Sequence, residues 1–97
     1  MKRLIPIAST VLLALGMQTA RADIKVLACE PEWGALVKEL AGDKASVYVA
    51  TTGLQDPHRI EVRPSLVAAA RNTQLVVCTG AELEVGWLPL LIRQSGN

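Results

Sequence analysis

His58 is the only histidine in the 97-residue chain, and it lies in the stretch TTGLQDPHRIEVRPS, directly after Asp56-Pro57 and just before Arg63-Pro64-Ser65. A neutral imidazole is a metal ligand or a general base near neutral pH, and the prolines on either side restrict the backbone that carries it. Cys29 and Cys78 add thiol chemistry, and carboxylates follow each of them, Glu30 after the first and Glu82 and Glu84 after the second. The sequence has no CxxC pair, HExxH helix, GxSxG elbow or Gly-rich phosphate loop that would fix a reaction by itself. Taken alone, one histidine on a polar loop reads by default as a solvated turn residue, because a zinc site needs three or four ligands.

The elements that must position these groups alternate in type. IKVLACE (residues 24–30) is a short apolar run expected of a strand buried on both faces. PEWGALVKELAGD then predicts a helix opened by Pro31, with Trp33, Leu36, Val37 and Leu40 on one face and Gly42 as its stop. ASVYVATT (45–52) is rich in β-branched residues and predicts a second strand. Pro64 opens a second helix with Leu66, Val67 and Ala70 on one face and Asn72 at its end. QLVVCTG (74–80) predicts a third buried strand, and GWLPLLIRQS a last helix in which Pro89 fits only the first turn. Strands alternating with helices imply an α/β fold with a parallel sheet and right-handed crossovers.

In an open α/β sheet, ligands bind beyond the carboxyl ends of the strands. Those ends carry Cys29-Glu30, then Thr51-Thr52 leading to Asp56 and His58, then Cys78-Thr79-Gly80 leading to Glu82 and Glu84. The opposite edge, entered through Lys25, Ala45 and Gln74, offers nothing comparable.

Residues 1–22 read as a signal peptide. Lys2 and Arg3 precede the apolar run LIPIASTVLLALGM, and Ala20-Arg21-Ala22 supplies the small-x-small pattern before a cut. The apolar run is shorter than the roughly 20 residues of a spanning helix. The secreted segment 23–97 then holds 7 basic and 9 acidic residues, a net charge near −2. That balance, with Trp33, Trp87 and Tyr48 as the only aromatics, argues against a nucleic-acid partner. VLAC resembles a lipid-attachment box, but Arg21, Asp23 and Lys25 separate Cys29 from the apolar run. Three parallel strands leave an open edge, so the chain is expected to be the beginning of a longer protein.

The order and spacing of VLACEPEWGALVKELAGDKASVYVATT, DPH followed by RPS, LVVCTGAELE and GWLPLL closely resemble the N-terminal lobe of the periplasmic metal-binding proteins of zinc and manganese ABC importers, the ZnuA/TroA-like cluster A-I family. The resemblance runs through essentially all of residues 23–97. It implies a partial parallel sheet of strand order 2-1-3 with flanking helices, the N-terminal portion of a two-lobed solute-binding protein. It also implies a nonenzymatic function: holding a divalent transition metal, zinc or alternatively manganese, in an interlobe cleft for delivery to an ABC permease in the inner membrane.

By the same resemblance His58 is a metal ligand and Asp56 the group that orients it, accepting a hydrogen bond from the second ring nitrogen or the loop backbone. Glu30, Glu82 and Glu84 are further ligand candidates, against the plainer reading of acids at a strand end or helix start. The family's remaining ligands come from segments this chain lacks, and Arg59, next to His58, cannot ligate. Cys29 and Cys78 end strands that neighbour each other in a 2-1-3 order. A disulfide, two buried thiols and a Cys-Cys-His metal site all remain open. The competing functions are a small thiol-dependent redox or metal enzyme using Cys29, Cys78 and His58, and an inactive truncated α/β domain.

Overall fold

The computed structural model describes residues 23–97; the expected signal segment 1–22 lies outside the described residues. Strand β1 (Ile24–Ala28) leads into helix α1 (Pro31–Ala41), a single 3-10 turn (Gly42–Lys44) and strand β2 (Ala45–Val49). A long connection carrying His58 leads to helix α2 (Pro64–Arg71), strand β3 (Leu75–Val77) and helix α3 (Leu88–Ser95). The three strands form one parallel sheet in the order β2-β1-β3. The register runs from Ile24 opposite Ala45 to Ala28 opposite Val49, and from Val26 opposite Leu75 to Ala28 opposite Val77. This is the expected α/β architecture with the 2-1-3 order.

Prolines start all three helices within the first turn, where a missing N–H costs nothing. Gly42 ends α1 with a positive φ of 56°. Among the described residues no helix is long and apolar enough to cross a membrane.

One face of the sheet meets α2 and α3 in a core of Leu27, Cys29, Ala50, Ile60, Leu66, Ala70, Trp87 and Leu91. Leu27, Leu66 and Leu91 are fully buried, each contributing about 1.5–3 kcal/mol of hydrophobic stabilisation. The other face carries Ala28, Val47 and Val49, against which α1 lies so closely that a Cβ on Gly34 would come within 2.7 Å of the Val49 Cγ2.

That close approach corrects the expected face of α1. Trp33 and Val37 are half-buried, but Leu36 is 45% and Leu40 78% exposed, and Gly34 is the buried residue. Helix and sheet meet through the residue without a side chain, which turns the leucine side of the stripe outward. Burial on both faces holds for Val26, Leu27 and Ala28 of β1 but not for β3. Leu75 is 50% exposed and Val76 and Val77 are half-buried, because β3 is the last strand on its side of the sheet.

Candidate functional site

At the carboxyl edge, Cys29 and Cys78 form a disulfide with Cα atoms 4.9 Å apart. The parallel register makes this possible: Ala28 faces Val77, so the next residue on each strand projects from the same face of the sheet. No free cysteine remains. The alternatives of two buried thiols and a Cys-Cys-His metal site are therefore corrected, since both sulfurs are spent on each other. Among the described residues the one group of three ligating side chains is Cys29, Cys78 and Glu84, whose ligand atoms lie within 4.8 Å of one another. With the sulfurs bonded it offers a carboxylate but no thiolate.

His58 stands apart on the β2–α2 connection and is 65% exposed. Asp56 Oδ1 accepts two hydrogen bonds from it, from the backbone N–H at 3.0 Å and from Nδ1 at 2.8 Å. The His58 backbone bond and then the ring bond hold the Asp56 carboxyl below its ordinary value, so it stays an acceptor. Nδ1 carries the proton in that bond, which leaves the Nε2 lone pair as the free ligating site.

The far side of the loop is gripped by the segment before α3. Trp87, 1% exposed, donates its indole N–H to the Pro57 carbonyl at 2.7 Å. Gly86 packs so tightly that a Cβ there would stand 2.7 Å from the His58 carbonyl oxygen. Arg59, beside the ligand candidate, is exposed and helps keep Asp56 ionised.

Glu84 is 3% exposed and is committed to the backbone. Its two oxygens accept the amides of Thr79 at 2.8 Å and Gly80 at 3.0 Å. Burial would push its carboxyl up, but those amides and a hydrogen bond from Glu30 outweigh it and hold the group low. These bonds close a tight turn in which Gly80, Ala81 and Glu82 all have positive φ, 78°, 52° and 70°. A left-handed conformation costs each non-glycine residue about 1–2 kcal/mol, so Glu84 is what holds the turn shut. Glu82 itself points to solvent on that turn.

Glu30 is 4% exposed. The Trp33 indole donates to the Thr79 hydroxyl at 2.8 Å, and that hydroxyl donates to Glu30 Oε2 at 3.3 Å. Glu30 Oε1 is buried without a donor. Burial first, and then Glu84, raise its carboxyl from 4.5 to about 7. Thr51 is also buried, its hydroxyl donating to the Cys29 carbonyl at 2.8 Å.

Between Glu30 and the histidine loop lies an open cleft of about 160 Å³, lined by Glu30, Glu32, Thr51, Gln55 and Pro57 among others. The opposite edge also has a cleft, about 220 Å³, lined by Lys25, Ser46, Tyr48 and Thr73 among others. The expectation that nothing comparable lies there holds for ligating groups, not for space.

An open parallel sheet with its polar side chains gathered at the carboxyl edge, and a histidine oriented by a carboxylate there, defines a ligand-binding α/β lobe. The sequence profile of the family described as zinc-uptake complex component A periplasmic, ZnuA, matches residues 26–97, and the chain belongs to that family. The iron ABC transporter substrate-binding lipoprotein MtsA of Streptococcus pyogenes serotype M1 is 31% identical over 84 residues, covering 82% of this chain and 27% of the relative.

A crystal structure of ZnuA superposes with a TM-score of 0.71 at 26% identity, over 78% of this chain and 30% of that one. A zinc-bound ZnuA mutant lacking residues 138–173 gives the same score and identity. Zn(II)-bound AdcA from Streptococcus pneumoniae shares the fold at a TM-score of 0.62 and 21% identity, over 77% of this chain and 16% of that one. The chain thus spans about a quarter of the length of the curated relatives it matches. These relatives are described as metal-uptake or substrate-binding components of transporters, not as enzymes.

Sequence reasoning missed four residues of this edge. Trp33, Thr79, Gly86 and Trp87 were legible only as parts of helices and a turn, because an indole N–H or a glycine carries no sign of what it will touch.

Proposed function

We propose that residues 23–97 are the N-terminal lobe of a periplasmic solute-binding protein, exported by the segment 1–22, that captures a divalent transition metal and hands it to an ABC permease in the inner membrane. The observation that carries this reading is His58. Asp56 holds its Nδ1–H, Trp87 and Gly86 hold the loop backbone around it, and Nε2 takes no part in those contacts, on a loop that follows the carboxyl end of β2 in a family-matched lobe. A preorganised neutral imidazole loses little entropy on binding an ion.

Zinc is the favoured cargo, supported by the zinc named for the family and for two of its structural relatives. Manganese is the alternative, and the iron named for MtsA fits the breadth of metals an imidazole accepts. One imidazole holds an ion weakly, so tight capture needs ligands from a second lobe closing over this edge. Glu84 is spent on amides, Glu82 sits out on the turn and Glu30 faces inward, which leaves His58 as this lobe's ligand.

The test is a competitive zinc titration of the secreted protein against a chromophoric chelator. His58→Ala is expected to weaken zinc binding at least tenfold. Unchanged affinity in that variant, or no zinc binding by the parent protein, would overturn the reading.

A further inference from the structure

We propose that Glu30 and Glu84 form a carboxyl–carboxylate pair sharing one proton, and that this pair positions His58 by holding the turn whose Trp87 indole grips the histidine loop. The inference deepens the metal-capture reading and rests on it for the role of His58. The pair itself does not depend on that reading, resting on the burial of both carboxyls, their shared partner Thr79 and the orphan oxygen of Glu30.

Both carboxyls are almost fully buried and converge on one residue. Glu30 Oε2 takes the Thr79 hydroxyl and Glu84 Oε1 takes the Thr79 amide. Glu84 must be the anion, because its two oxygens each accept a backbone amide. Glu30 Oε1 has no donor, which is costly for a buried carboxylate and costs nothing for a protonated carboxyl that is itself the donor. A proton on Glu30 aimed at Glu84 satisfies the orphan atom and removes the repulsion between two buried negative charges. The elevation of Glu30 and the depression of Glu84 agree with this division.

The groups that bear on the pair are few. Glu32 on α1 adds a further negative charge near Glu30. Thr79 and the disulfide lie beside it on the β3 side, and the Thr51 hydroxyl on the β2 side is spent on the Cys29 carbonyl. Among the described residues no basic side chain forms an ion pair with either carboxyl.

The path to the histidine is short and made of direct contacts. The Glu84 carboxylate closes the left-handed turn at residues 80–82. Its own carbonyl then accepts the amides of Trp87 at 3.2 Å and Leu88 at 2.9 Å, which sets the start of α3. Trp87 donates to Pro57 and Gly86 abuts the His58 carbonyl. Loss of the shared proton places a second charge beside Glu84, loosens the turn and frees the indole. Glu30 and Glu84 are therefore positioning residues: neither touches the ion.

Carboxyl-detected NMR across roughly pH 5 to 9 tests this on the secreted protein, with the Trp87 indole N–H followed in the same samples. One glutamate carboxyl, Glu30, is expected to titrate near neutrality, with faster exchange of the Trp87 indole proton over the same range. Glu30→Gln, whose amide donates to Glu84 at every pH, is expected to abolish the neutral transition and keep the indole protected. Glu30→Ala is expected to lose that protection throughout.

Ordinary acidic titration of Glu30, or a neutral transition of the indole that persists in Glu30→Gln, would overturn the proposal. Zinc added at about pH 8 is expected to bind Glu30→Gln several-fold more tightly than the parent protein. Equal affinities would overturn the positioning role. If zinc bound neither protein the metal-capture reading would fail, and with it the positioning role, while the carboxyl titration would still decide the shared proton.

Discussion

Replacing both cysteines with serine should remove a large part of the stability of this lobe. Cys29 and Cys78 are separated by 49 residues in sequence, and cross-linking a loop of that length removes about 4 kcal/mol of chain entropy from the unfolded state. The described residues number 75, for which a total stability of about 4–11 kcal/mol is usual. The bond thus contributes roughly a third or more of the whole. It also ties β1 to β3, the strand with a half-exposed face.

Urea unfolding followed by tryptophan fluorescence measures this directly, with Trp33 and Trp87 on opposite sides of the sheet as reporters. Cys29→Ser/Cys78→Ser is expected to lose about 2–4 kcal/mol, and the parent protein under a strong thiol reductant to lose the same amount. A change below about 1 kcal/mol in both would refute the reasoning, because it would mean that closing this loop does not limit the unfolded chain.

Two further outcomes follow from the contacts at the edge. Gly86→Ala places a methyl 2.7 Å from the His58 carbonyl oxygen, so the loop or the α3 start must shift, at a cost of about 1–3 kcal/mol in urea unfolding and with weakened zinc binding; an unchanged midpoint would show that the loop yields freely. Stability should also fall as pH rises. Glu30 is raised from 4.5 to about 7, so its contribution is complete below pH 4.5 and lost as pH passes through about 7. The loss is roughly 2 kcal/mol once solvent at the cleft is allowed for. Asp56 and Glu84, both held low, act in the opposite sense and lose their contributions on acidification. Urea midpoints at several pH values are therefore expected to peak on the acid side of neutrality, and a midpoint that rises steadily to pH 8 would contradict this.

The fold was legible in the sequence because each element announces itself locally. Pro31, Pro64 and Pro89 mark helix starts, Gly42 marks a stop, and VLA and LVV are short apolar runs between them. The strand order followed from the family resemblance rather than from periodicity, and whether Cys29 and Cys78 bridge was left open until the structure joined them. The packed face of α1 was misjudged because apolar periodicity counts side chains, whereas the contact with Val47 and Val49 is made by Gly34.

At the site, the roles of Asp56 and His58 came through the family resemblance, which the proline-braced loop and their two-residue spacing fit. The grip of Trp87 on Pro57 spans 30 residues, and the approach of Glu30 to Thr79 spans 49. Only the folded chain creates such contacts. Glu84 looked like one of several acids at a helix start, and its role in holding a left-handed turn depends on backbone angles that no residue type reveals.

The most direct test of the central claim is to follow the His58 ring nitrogens by NMR while zinc is added to the secreted protein. The Nε2 signal is expected to take the large shift of a metal-bound nitrogen while Nδ1 keeps its proton, hydrogen-bonded to Asp56. An unmoved His58 ring under zinc concentrations that saturate the protein would contradict it.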